Sequence, residues 1–102
     1  MESDLEFRHL LIELADDLDE SNKKKFVFLL GSTLPKEIQE RSMLDIFNCL
    51  IDQGEISAEN CTLLKQLFES LKLRRLEFKV ARYISCMYDD LPFNLSKNYF
   101  NY

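Results

Sequence analysis

The sequence predicts an all-α protein, a six-helix antiparallel bundle, and three observations point there. Apolar residues recur at three- and four-residue spacing along most of the chain, the period of one helix face. The 102 residues include only two Gly and two Pro, too few for a β-sandwich, which needs a breaker roughly every 8–12 residues. Connections of about two to six residues between the apolar stripes imply antiparallel neighbours. A chain of this length forms one domain with one core. Its composition, 46% hydrophobic and 30% charged, is globular rather than disordered.

The helices read in order as follows. Residues 4–18 carry Leu5, Leu10, Leu11, Leu14 and Leu18 on one face. Asp19 or Ser21 can cap a second helix over residues 22–30, which Gly31 ends. On that reading Lys23, Lys24 and Lys25 sit in its first turn, where cations oppose the helix dipole; the placement suits either an acidic partner or a solvated face. Pro35 opens a short third helix reaching residue 40. Ser42 caps a fourth, with Met43, Leu44, Phe47, Leu50 and Ile51 as its stripe and Gly54 as its stop. Ser57 is expected to cap the fifth, whose stripe is Cys61, Leu64, Leu67, Phe68 and Leu71. The sixth, residues 74–87, is expected to bury Phe78, Ala81 and Ile84 or their neighbours. Leu14, Leu50, Leu67 and Ile84 are core candidates. The domain is expected over residues 1–90, with 91–102 as an aperiodic tail or linker.

Composition also removes function classes. The net charge is −5, so nucleic acid is not an expected partner. The start, Met-Glu-Ser-Asp, lacks the features of a secretory leader, and no apolar run is long enough to span a bilayer. The expected location is cytoplasmic, without membrane insertion. Cys49, Cys61 and Cys86 have no metal-like spacing and read as small reduced residues of the interior. The single histidine, His9, has no nucleophile motif beside it. Gly31 and Gly54 stand alone and form no phosphate loop. Asp16–Asp17 and Asp89–Asp90 are sequence neighbours that diverge by about 100° on a helix, so neither is an acid/base couple. No enzyme and no cofactor is expected. Charge is unevenly spread: residues 1–20 hold eight acids and one base, residues 72–82 five bases and one acid. Such a bipolar molecule could stack on its own kind, unless these are simply solvated faces.

One segment exceeds what a single amphipathic stripe needs. Phe26-Val27-Phe28-Leu29-Leu30 points apolar side chains all round a short helix. Either the helix is wholly buried or some of these residues reach a partner. Around this run the chain resembles the death effector domain, a six-helix bundle of the death-fold superfamily. The resemblance covers about residues 5–86. It lies in Phe7-Arg8-His9-Leu10-Leu11 with Leu18-Asp19, in Phe28-Leu29-Leu30, in Leu44-Asp45-Ile46-Phe47, and in Leu50 with Gly54. It continues through Asn60, Leu63-Leu64 and Leu67, and ends in Arg74-Arg75-Leu76-Glu77-Phe78. Several segments are similar to the effector domains of initiator procaspases, FLICE-like inhibitory proteins and the Fas-associated adaptor.

The resemblance implies a homotypic interaction module in apoptosis signalling, one that recruits or regulates initiator caspases. Its partners would be other death effector domains or a second copy of itself. It further implies a Phe-Leu patch on the second helix, matched by Phe28 and Leu29, that enters a pocket between the first and fourth helices of a neighbour. A charge triad is also implied, joining an acid of the second helix to an Arg-x-Asp-Leu motif on the sixth. Arg75-Leu76-Glu77-Phe78 matches in altered form, and Asn22 stands near the missing acid. The interaction residues expected are therefore Phe28, Leu29, Arg75 and Glu77, with Arg75 binding Glu20 or Asp19. Alternatives are another death-fold branch (CARD or pyrin) or a bundle that binds a lipid or a helix. An exposed Phe28 favours the effector domain; a cavity lined by Phe47, Phe68 and Phe78 favours the ligand-binding bundle.

Overall fold

A computed structural model of the chain describes residues 2–89, with side chains over residues 4–86. The expected tail, 91–102, lies outside the described residues, as do both ends of the expected 1–90 domain. Among the described residues six α-helices follow one another: α1 (Glu2–Asp17), α2 (Glu20–Leu30), α3 (Lys36–Gln39), α4 (Met43–Asp52), α5 (Thr62–Ser70) and α6 (Arg74–Asp89). A 3-10 turn at Gly31–Thr33 joins α2 to α3. Among the described residues there is no strand, only an isolated bridge between Ser57 and Asn60.

The helix ends follow local chemistry. Asp19 Oδ1 accepts the N–H of Asn22 at 2.8 Å, so Asp19 and not Ser21 caps α2. The helix therefore starts at Glu20, which puts an acid in its first turn and moves Lys23, Lys24 and Lys25 beyond the dipole's main reach. Ser42 Oγ accepts the N–H of Asp45 at 3.2 Å and opens α4. That helix closes with Gly54 at φ +78, its N–H donating to Ile51 O at 3.0 Å while Glu55 N–H donates to Leu50 O at 2.9 Å. These are the two bonds of a Schellman cap. The same pair ends α5, from Lys72 N–H to Glu69 O (3.0 Å) and from Leu73 N–H to Phe68 O (2.9 Å). There a lysine takes the left-handed position, φ +61, a strain of about 1–2 kcal/mol for a residue with a Cβ. Leu73, packed against the core, helps hold it.

Ser57 does not cap α5, which begins four residues later than expected. Ile56 and Ala58 are both buried and pin this stretch as a loop. Ser57 and Asn60 bond each other's backbone, at 3.0 and 3.1 Å. Asn60 Oδ1 then accepts the N–H of Thr62 at 3.2 Å. Tyr83 of α6 donates its hydroxyl to Ala58 O at 3.0 Å, tying the loop to the last helix.

α1 packs on α4 and α6, α5 on α6 and α2, and α3 on α4. At the centre three rings from three helices meet. Phe26 of α2 lies edge-on to Phe47 of α4, centroids 5.9 Å apart, and 5.6 Å from Phe68 of α5. Such pairs add about 0.5–1.5 kcal/mol to the burial of the rings themselves. Leu14, Leu50 and Leu67 are buried as expected, while Ile84 is only partly so. Some stripes sit differently from the sequence reading. In α1, Phe7 is buried and Leu5 lies outside; in α6, Leu76 and Val80 point in and Phe78 is 62% exposed. Leu76 and Val80, one turn apart, set the face of α6 that meets the core; Phe78, two residues from each, projects from the opposite side. Cys61 is buried, but Cys49 is half-buried and Cys86 exposed, so the three cysteines do not share an interior role. Among the described residues no helix is long and apolar enough to cross a membrane.

Candidate protein-interaction surfaces

The apolar run of α2 divides between inside and outside. Phe26 and Leu30, one turn apart, enter the core, and Val27 lies half-buried beside it. Phe28 and Leu29 then face solvent, 84% and 45% exposed. Leaving such surface in water costs roughly 25 cal/mol per Å², which makes these adjoining residues a candidate interaction surface.

A second apolar feature lies between α1 and α4. Leu11 and Ile12 from one helix and Leu44, Phe47 and Ile51 from the other line an open pocket of about 320 Å³, rimmed by Arg8, Asp45 and Asn48. Sequence reasoning missed these residues. Ile12 stands off the leucine stripe, and Leu44, read above as part of the apolar stripe of the fourth helix, is 48% exposed. Their signal was apolar identity one position away from a buried stripe, a pattern that needs the packing to be interpreted.

The third feature is electrostatic. Glu13 and Asp17, one turn apart on α1, face Lys79 and Arg75, one turn apart on α6. Lys79 Nζ lies 2.9 Å from Asp17 and 3.7 Å from Glu13, and Arg75 lies 3.8 Å from Asp17. The order of these contacts shows that α1 and α6 run antiparallel. It also corrects two expectations. Arg75 meets Asp17, not Glu20 or Asp19, because α1 and not α2 packs on α6. Glu13 and Asp17 of the acidic region lie beside Lys79 and Arg75 of the basic one, so the two regions adjoin and are not opposite poles. Glu77 forms no ion pair within 4 Å among the described residues.

The hydrogen bond from Lys79, helped by the charges of Lys79 and Arg75, holds the Asp17 carboxyl below its ordinary value. A depressed carboxyl contributes stability above its unfolded value and loses it as pH falls through the folded one. Arg75 is 80% exposed in its side chain, so Arg75→Ala should change stability by less than about 1 kcal/mol at pH 7. That small difference should be smaller at pH 3 than at pH 7, because Asp17 loses its charge as pH falls toward its lowered value, and it should shrink in high salt. Urea unfolding at the two pH values checks this; a loss above about 2 kcal/mol would make Arg75 a structural residue.

The family model of the death effector domain matches residues 7–85. The chain belongs to the death effector domain family. It is also similar to human caspase-10, 38% identical over 65 residues, which is 64% of this chain and 12% of that protein's length. No solved structure gives a significant match.

As a death effector domain the chain is a non-catalytic, death-fold interaction module of apoptosis. This decides between the death-fold branches left open above. The ligand-binding alternative loses its cavity, since Phe47 and Phe68 are buried in the aromatic core while Phe78 points to solvent. Burial, with Glu59 nearby, pushes the Cys61 thiol up to about 11, far from a reactive thiolate. Its Sγ instead donates to Ser57 O at 3.4 Å, closing the α4–α5 loop.

Proposed function

We propose that this effector domain assembles homotypically, with Phe28 and Leu29 of one molecule as a plug and the α1–α4 pocket of the next as its socket. The observation that carries the reading is the 84% exposure of Phe28 in a helix whose neighbouring Phe26 is fully buried. A core residue does not stand in water; an anchor for a partner's pocket does. Plug and socket belong to different helices of one molecule, so the contact is heterologous and leaves a free plug and a free socket at the ends of every chain. Open-ended growth follows, and it would concentrate whatever follows the domain in a longer protein. In a cytoplasmic setting such growth would recruit or regulate initiator caspases, a reading supported by the similarity to a human caspase.

Arg75 and Glu77 have a lesser part in this reading. Arg75 touches Asp17 only loosely in the monomer, at 3.8 Å, and both it and Glu77 remain available to a neighbour. The test is co-sedimentation of the chain with the effector-domain region of the human relative. Phe28→Ala should abolish capture while leaving the helical spectrum intact. Capture at native strength by the variant would overturn the plug.

A further inference from the structure

The rims of plug and socket carry opposite charge, and this names the partner more closely. Lys25 lies three residues before Phe28 and four before Leu29, so its side chain shares their face of α2. It is exposed, and among the described residues it has no acid within 4 Å. Lys24, four residues before Phe28, is exposed as well and lines a groove that also holds Glu20 and Glu40. At the socket two charged residues line the pocket. Arg8 is held by Asp4, Nε to Oδ2 at 3.2 Å, which leaves its charge largely offset. Asp45 is exposed and without an ion pair among the described residues. Exposed lysines without an ion pair among the described residues therefore border the plug, Lys25 beside both of its residues, and an exposed carboxylate, Asp45, borders the socket.

We infer that the socket's occupant is a second copy of this chain, selected by Lys25 of one copy pairing with Asp45 of the next. This inference rests on the plug-and-socket reading above and adds to it a partner and two specificity residues. Charge explains why the local match matters. Each copy carries a net −5, so two copies repel at a distance and need complementary patches to meet. Lys25 supplies positive charge beside the apolar anchor, where the socket offers a carboxylate. Once the apolar contact excludes water around it, such a pair discriminates more strongly than an exposed one.

A charge-swap experiment tests this. Light scattering across protein concentration gives the midpoint for self-assembly of the native chain, Lys25→Glu, Asp45→Lys, the double variant and Phe28→Ala. Each single reversal should raise the midpoint about tenfold or more by placing like charges together. The double reversal should return it to within about threefold of native, the signature of a direct pair. Circular dichroism checks folding, and Asp45→Asn gives a milder socket variant should Asp45→Lys disturb the start of α4. If the reversals assemble like the native chain while Phe28→Ala does not, the charge pairing is overturned and the plug stands. If Phe28→Ala also assembles, the plug falls and this inference with it. If the native chain stays monomeric yet captures a different effector domain, the second copy is not the occupant.

Discussion

Phe26→Ala should lower the stability of the folded domain by about 3–5 kcal/mol. The ring is fully buried and holds two others, Phe47 and Phe68, at 5.9 and 5.6 Å. Truncation removes its own burial, both ring contacts, and the only fully buried aromatic of α2, the helix that presents the proposed plug. A domain of this size has roughly 5–15 kcal/mol in all, so the melting temperature should fall on the order of 12–40 °C. Thermal melting by circular dichroism measures it. A drop of only a few degrees would mean that α2 is held by something other than its aromatic seat.

The second large effect concerns growth. Phe28→Asp blocks the plug but keeps the socket; Leu44→Asp spoils the socket but keeps the plug. Neither variant alone should assemble at concentrations where the native chain does. Mixed, the socket of the first accepts the plug of the second, and growth stops at one contact because the remaining plug and socket are both dead. The mixture should therefore run as a two-molecule complex in sedimentation velocity, neither monomer nor polymer. Long assemblies from the mixture would show that a different pair of faces carries the contact. Two unmixed monomers would show that the blocked faces are not each other's partners.

Much of the fold could be read from local chemistry, because helix ends and stripes are local. Ser42 as a cap, Gly54 as a stop and the buried Leu14, Leu50 and Leu67 follow from residue type and spacing alone. What could not be read depends on contacts far apart in sequence. The loop before α5 is fixed by the burial of Ile56 and Ala58 and by Tyr83, 25 residues away from Ala58. The register of α6, which turns Phe78 outward, is set by α1 and α5. Lys72 at a positive φ leaves no trace in sequence, since glycine is the usual residue there.

The surfaces divide in the same way. The apolar excess of residues 26–30 was visible, but only packing against Phe47 and Phe68 decides that Phe26 turns in and Phe28 out. The resemblance implied a pocket between the first and fourth helices without saying which residues line it. Arg75's partner was misplaced because Asp17 ends α1 two residues before the Asp19 cap. The two differ little in sequence yet belong to different helices, and only one of those helices packs on α6.

The most direct test of assembly through α2 is a paired measurement on Phe28→Ala: thermal melting of the monomer, and light scattering over a range of concentration. Loss of a mostly exposed ring should leave the melting temperature within a few degrees of native and abolish concentration-dependent scattering. A variant that melts as low as Phe26→Ala, or one that scatters like the native chain, would contradict a plug at Phe28.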